Sequence, residues 1–242
     1  MKSGLLLLLL GLISLTAQAQ ERVSTVGLQF KPLFSSRFFG TGPENINQQA
    51  FSYEIRPRFG YVLGAIIRKG YTPTLSLEFG LNYAVRNYEI SAFKGSIGSS
   101  ENLRVVGYEI PLSQLIFIRL SENIYMNASA GVCINMFPSD VFKESDYFLA
   151  YGGRRNVFSP SLLANLGFEY RTEKSGYFYF GTSLNRPFNS VYGFAIDYLE
   201  NNFVTNNTIT ELRGAYLSID FRYFFAEDPE KKGSKKERKK KK

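Results

Sequence analysis

Histidine and tryptophan are absent from the 242 residues, and cysteine occurs once, at Cys133. Without histidine, the side chain that titrates nearest neutrality is missing. Proton-transfer chemistry would have to rest on a carboxylate or lysine with a displaced pKa. Soft-metal sites lose their commonest ligand for the same reason, and a lone cysteine makes neither a thiolate cluster nor an internal disulfide. A disulfide-stapled secreted domain is thereby excluded. Charged residues make up only 21% of the chain. Beyond Leu15, no run reaches the roughly eighteen consecutive apolar residues that a membrane-spanning helix requires. Any later insertion into a bilayer must use strands.

The chain opens with an export signal: Lys2, an apolar stretch from Leu5 to Leu15, and the small-x-small site Ala17-Gln18-Ala19. Residues 1–19 are expected to be removed, leaving Gln20 first. A membrane helix is the weaker reading, because the run is short and ends in small polar residues. No cysteine follows the cleavage site, which argues against a lipoprotein. Residues 20–225 are then expected to form one all-β domain, and residues 226–242 a polar tail.

Gly 21, Tyr 16 and Phe 22 favour aromatic-rich β structure. From Glu122 to Phe137, Ile124, Met126, Ala128, Ala130, Val132, Ile134 and Met136 share one face of a strand, with polar and small residues opposite. The same period of two runs through Thr74 to Tyr88 and Ala215 to Phe225. It predicts further strands over Val23–Phe34, Phe51–Ile67, Leu103–Leu120, Val157–Thr172 and Tyr177–Phe188. Short connections at Arg68–Thr72, Ser121–Glu122 and Glu173–Gly176 alternate with long ones at Ser35–Ala50, Ser91–Asn102, Pro138–Asn156 and Asn189–Thr210. Eight strands with alternating short and long connections predict an eight-stranded antiparallel up-and-down transmembrane β-barrel, with turns and both termini at the periplasm and long extracellular loops.

A soluble lipocalin-like barrel shares the period of two, so the choice between them depends on which face looks outward. With the apolar stripes against lipid, the lumen receives Glu54, Arg56, Arg58, Glu78, Arg86, Glu109, Glu169, Arg171, Asp220 and Arg222 as an ion-pair network. Gly60, Gly80, Gly131 and Gly167 on the same set make room for those side chains. Tyr88, Tyr108, Phe137, Phe158, Tyr170, Tyr177 and Phe225, near strand ends, are candidates for interfacial girdles.

Val106-Gly107-Tyr108-Glu109-Ile110-Pro111-Leu112, followed by Asn127-Ala128-Ser129-Ala130-Gly131-Val132, resembles the Bacteroidetes outer-membrane β-barrel family called PorT-like. The likeness spans most of Val23 to Phe225. It implies an eight-stranded barrel integral to the outer membrane of a Gram-negative bacterium of the Bacteroidetes, and for most members no defined biochemical activity. Tyr216 to Phe225 also resembles the aromatic terminal signal read by the barrel-insertion machinery, although here the chain continues past it.

The tail holds nine bases (Lys231, Lys232, Lys235, Lys236, Arg238, Lys239, Lys240, Lys241 and Lys242) against four acids, which is +5 of the total +8. Such a run is expected to be solvated, or to engage an anionic periplasmic surface; export argues against nucleic acid. Arg154 and Arg155, after Gly152-Gly153, are a candidate anion contact for lipopolysaccharide. The last loop carries Val191, Tyr192, Phe194, Ile196, Tyr198, Leu199 and Phe203, too apolar for a solvated connection. It is expected to extend the barrel, cover the lumen or meet an envelope protein. Gly40-Thr41-Gly42-Pro43 is a turn, not a phosphate loop. Asp140, Glu144 and Asp146 lack the spacing of a calcium loop. No cofactor, metal or catalytic set is expected. The function read from sequence is a non-enzymatic outer-membrane barrel with a structural, assembly or partner-binding role. The alternatives are a lipid-processing enzyme using Glu109 or Asp220, and a soluble binding barrel.

Overall fold

The computed structural model describes residues 24–172 and 175–226, so the expected export signal (residues 1–19) and all but the first residue of the expected tail (residues 226–242) lie outside the described residues. The strands are β1 (Ser24–Phe34), β2 (Glu44–Gln48), β3 (Phe51–Gly70), β4 (Leu75–Lys94), β5 (Ile97–Arg119), β6 (Ile124–Met136), β7 (Val141–Ser145), β8 (Phe148–Arg154), β9 (Phe158–Arg171), β10 (Tyr177–Pro187), β11 (Tyr192–Glu200), β12 (Phe203–Leu212) and β13 (Tyr216–Phe224). Among the described residues, no helix is long and apolar enough to cross a membrane.

Antiparallel pairing runs β1-β13-β10-β9-β6-β5-β4-β3, and β1 also pairs with β3, which closes the ring. Phe30, for example, faces Phe221 of β13 on one side and Leu63 of β3 on the other. Among the described residues, eight strands therefore share a ring without a free edge, the condition for a sheet to sit in hydrocarbon. The fold is an all-β transmembrane barrel.

Its polarity is reversed relative to a soluble barrel. Leu28, Leu63, Leu81, Leu112, Leu166 and Phe180 all point outward and lie roughly half exposed. Glu78, Arg86, Glu109, Glu169, Asp220 and Arg222 point inward and are buried. The outward series on β5 from Tyr108 to Ile118 climbs about 33 Å along the strand, or about 25 Å along the axis at a tilt near 40°, the height of a bilayer-facing band. Pro111 interrupts the β4–β5 ladder: no partners are assigned between Phe79↔Leu112 and Asn82↔Glu109, yet the register is the same on both sides. A missing N–H costs the ladder a bond without shifting it.

The five remaining strands and the upper ends of β3, β4 and β5 build a second layer. Ser91–Asn102, expected as a loop, is instead the continuation of β4 and β5, which run for 20 and 23 residues and turn only at Gly95-Ser96. Strands β12, β11, β8 and β7 form a separate four-stranded sheet. That sheet packs on the extended part of the ring over Tyr53, Ile55, Tyr88, Ile90, Phe137, Phe148, Tyr192, Phe194, Ile196 and Tyr198. The long excursions thus fold into a β-sandwich cap with an ordinary apolar interior.

β5 shows the change of surroundings within one strand. In its upper part Leu103 and Val105 face in and Asn102 and Arg104 face out; below, Glu109 and Ser113 face in while Ile110 and Leu112 face out. Both faces exchange polarity near Gly107, where the cap gives way to the barrel.

Candidate functional site

The lumen is organised by one chain of alternating charge. Lys31 Nζ lies 3.3 Å from Asp220, whose carboxylate is 2.7 Å from Arg222. Arg222 reaches Glu78 at 2.6 Å, and Glu78 reaches Arg68 at 3.1 Å. Arg68 then pairs with Glu169 at 2.5 Å, and Glu169 with Arg171 at 2.6 Å, at the mouth ringed by short turns. Every charge between the two ends, Lys31 and Arg171, has a neighbour of opposite sign on both sides, which offsets the several kcal/mol that desolvating one ion costs.

Packing of the wall makes this possible. Gly167 on β9 and Gly181 on β10 face each other across the ladder, and a methyl group at either would strike the Tyr179 hydroxyl. Their absent side chains let Tyr179 lie against the wall, donating to Asn165 at 2.8 Å. The Arg222 guanidinium stacks on that ring at 4.7 Å. Asp220 is held further by Ser183, Ser218 and Asn165, which donate at 2.5, 2.6 and 3.1 Å.

A second cluster sits higher. Arg86 bonds Glu109 at 2.8 Å, the Tyr216 hydroxyl donates to both oxygens of the same carboxylate, and Arg86 also bonds Asn135. The Arg86 guanidinium lies 5.2 Å from the Phe137 ring centroid, at the floor of the cap. Asn82 extends this cluster, donating to Glu109 at 3.4 Å and accepting from Gln29. Beside Lys31, Glu78 and Arg222, an interior cavity of about 20 Å³ has room for roughly one water. At the mouth, Arg68 lies 3.8 Å from the Phe224 ring, and Arg171 is enclosed by Phe117, Tyr125 and Tyr177. The interior is therefore filled by side chains, with its charged groups in ion pairs.

Of the ten residues predicted for the lumen, Glu78, Arg86, Glu109, Glu169, Asp220 and Arg222 are buried there, and Arg171 closes its mouth. Glu54, Arg56 and Arg58 are not in the lumen. A bulge between Arg58 and Tyr61 puts two residues of β3 against one of β4 and shifts the alternation by one. Above it, Tyr53 and Ile55 face in, and the three charged residues lie on the outer face of the cap, where Arg56 pairs with Glu54 and Arg58 with Glu89. Below it, the same shift turns Arg68 inward. Arg68, expected in a turn, and Lys31 are the lumenal charges the sequence reading missed. The signal for Lys31 was available: it alternates with Phe30 on the same phase as Gln29 and Thr25.

The girdle expectation divides as well. Tyr108, Phe158, Tyr170 and Phe225 are exposed on the outer surface, whereas Tyr88 and Phe137 are buried in the cap core and Tyr177 lines the mouth. In the third excursion Arg154 is committed to Asp140 and to the carbonyls of Phe137 and Pro138. The Arg154 backbone N–H and the Tyr151 hydroxyl, both donating to Asp140, hold that carboxyl below its usual range. Arg155 turns instead to Glu211 at 2.6 Å, so the two neighbouring arginines face different partners. Gly40 is the left-handed residue (φ 66°) that ends a short 3-10 turn, Arg37–Phe39. The predicted tail bases lie outside the described residues.

No protein-family model and no curated protein sequence matches the chain. Among solved structures it is similar to the outer membrane protein OprG from Pseudomonas aeruginosa, with a TM-score of 0.53 at 13% identity, covering 84% of this chain and 96% of that one. A match to the outer membrane protease OmpT from Escherichia coli covers 87% of this chain and 100% of that one, at a TM-score of 0.30 and 10% identity, too loose to bear on fold or chemistry. The similarity to OprG is one of architecture: a barrel of the outer-membrane kind.

Proposed function

We propose that the protein is an integral outer-membrane barrel that holds a folded β-sandwich at the cell surface, with a structural or partner-binding role and no catalytic one. The observation that carries this reading is the exchange of polarity between barrel and cap. A lipid-facing band below a water-facing sandwich fixes the molecule across one bilayer, with the cap on one side and the short turns on the other. The likeness of Val106–Leu112 and Asn127–Val132, which lie on the neighbouring strands β5 and β6, to the Bacteroidetes family supports the same placement. Against catalysis stands the saturation of the candidate carboxylates: Glu109 is engaged by Arg86 and Tyr216, and Asp220 by two cations and three side-chain donors. The basic tail, following Ala226 at the short-turn rim, is proposed to meet an anionic periplasmic surface.

Two measurements test this. In a Cys133→Ser background, Asn202→Cys in the β11–β12 turn is expected to react with a membrane-impermeant maleimide on intact cells, and Ser175→Cys only after lysis. The reverse pattern would overturn the orientation. Glu109→Gln and Asp220→Asn are expected to leave envelope lipid composition unchanged while lowering barrel stability. A lipid profile that changes while the barrel remains folded would establish the enzyme instead.

A further inference from the structure

On the flank of the molecule, where β10 leaves the lipid-facing band and the cap begins, a concavity of about 510 Å³ is lined by three arginines: Arg155, Arg186 and Arg213. They come from three separate segments, the end of β8, the top of β10 and the link between β12 and β13. Glu211 also lines the concavity, but its carboxylate is taken by Arg155 at 2.6 Å and by the Ser190 hydroxyl at 2.7 Å, and the two contacts hold its pKa low. Among the described residues, no carboxylate oxygen pairs within 4.0 Å with Arg186 or Arg213. Glu44 lies near Arg213, and burial pushes the Glu44 carboxyl up against the lowering effect of that arginine. The concavity is left with an excess of positive charge.

Its height along the barrel is set by β10. The outward positions of that strand run Phe178, Phe180, Thr182, Leu184, Arg186, so the guanidinium is the first charge above the apolar series. Across the ladder its partner is Leu162, which is half exposed on the lipid side, and the strongly exposed Phe188 lines the same concavity. Cations just above an apolar band sit at the level of lipid headgroups. Arginine's planar fork matches phosphate oxygens two at a time, in the strongest class of hydrogen bond available to a side chain. The volume exceeds what a bare phosphate fills and falls within the range of small-molecule sites.

We propose that Arg155, Arg186 and Arg213 bind the phosphate of an outer-leaflet glycolipid, with the sugar that carries it occupying the rest of the concavity. This rests on the outer-membrane placement above and gives the barrel a defined lipid partner on one flank. Arg154 takes no part.

The test uses the purified full-length protein in a zwitterionic detergent, with native mass spectrometry and titration by lipid A. Wild type is expected to retain lipid A, and the double variant Arg186→Gln, Arg213→Gln to bind at least about tenfold more weakly, the loss expected when two charge-assisted contacts go. Dephosphorylated lipid A is expected to bind wild type as weakly as phosphorylated lipid A binds the variant. Arg56→Gln, on the outer face of the cap, should leave binding unchanged. Equal retention by wild type and the double variant overturns the site, and so does inorganic phosphate displacing lipid A completely at millimolar concentration, which would make the ligand the free ion. Heat-dependent gel mobility, measured on the same samples, reports on the barrel separately, so failure of the lipid site is distinguishable from failure of the membrane reading.

Discussion

Asp220→Ala is expected to lower the stability of the folded barrel by about 3–5 kcal/mol, the cost of leaving buried charges without their partner. Asp220 is fully buried between Lys31 and Arg222 and accepts three further side-chain bonds, all of which would be lost together. Arg222 would keep Glu78, whereas Lys31 would keep no salt-bridge partner among the described residues. The matching control is Arg56→Ala. Its side chain is 47% exposed and its pairing with Glu54 is on the outer face of the cap, so the change should be below about 1 kcal/mol. The measurement is the urea midpoint in detergent micelles for both variants. Similar losses from the two would contradict the bulge that separates Arg56 from the lumen.

Phe194→Ala is the second large effect, and it acts on the other half of the molecule. Phe194 is buried against Tyr192 at 6.1 Å between ring centroids, in the core that joins the β12-β11-β8-β7 sheet to the extended strands of the ring. Truncating a buried aromatic costs about 3–5 kcal/mol through lost transfer energy and the cavity left behind. Because only the upper ends of β3, β4 and β5 reach this core, and the charged lower part of the ring lies outside it, the loss should fall on the cap. Limited proteolysis is expected to open cleavage sites in β7–β8 and β11–β12 while the barrel keeps its heat-dependent gel mobility. A barrel that fails to assemble, or a cap as resistant as wild type, would contradict the division into two layers.

The period-two pattern was enough to find all eight ring strands and most of the lumenal charges, because side chains that alternate between lipid and an ion-paired interior leave a strong trace in the sequence. The three charged residues wrongly placed in the lumen, Glu54, Arg56 and Arg58, share a cause: one extra residue in β3 near Phe59-Gly60 reverses the phase, and nothing in the residue types announces it. The cap was only partly legible. The apolar residues of the last excursion announced burial, but their partners, Tyr53, Ile55, Tyr88 and Ile90, lay on strands whose lower halves obey the opposite rule. A strand that changes surroundings along its length reads as a strand followed by a loop, which is how Ser91–Asn102 was misjudged. The arginine concavity could not be read at all, since its three members are brought together only by the sandwich.

The exchange of polarity along β5 is tested most directly by spin labels placed one at a time from Asn102 to Ile118 in the Cys133→Ser protein, reconstituted in a bilayer. Labels at Ile110, Leu112, Ile116 and Ile118 are expected to be reached by oxygen dissolved in lipid and shielded from a water-soluble nickel chelate. Labels at Asn102 and Arg104 should show the opposite preference, and those at Leu103 and Val105 should be shielded from both. Ready access of the nickel chelate to Ile110, Leu112 and Ile116 would place the outer face of the barrel in water and contradict the inverted architecture.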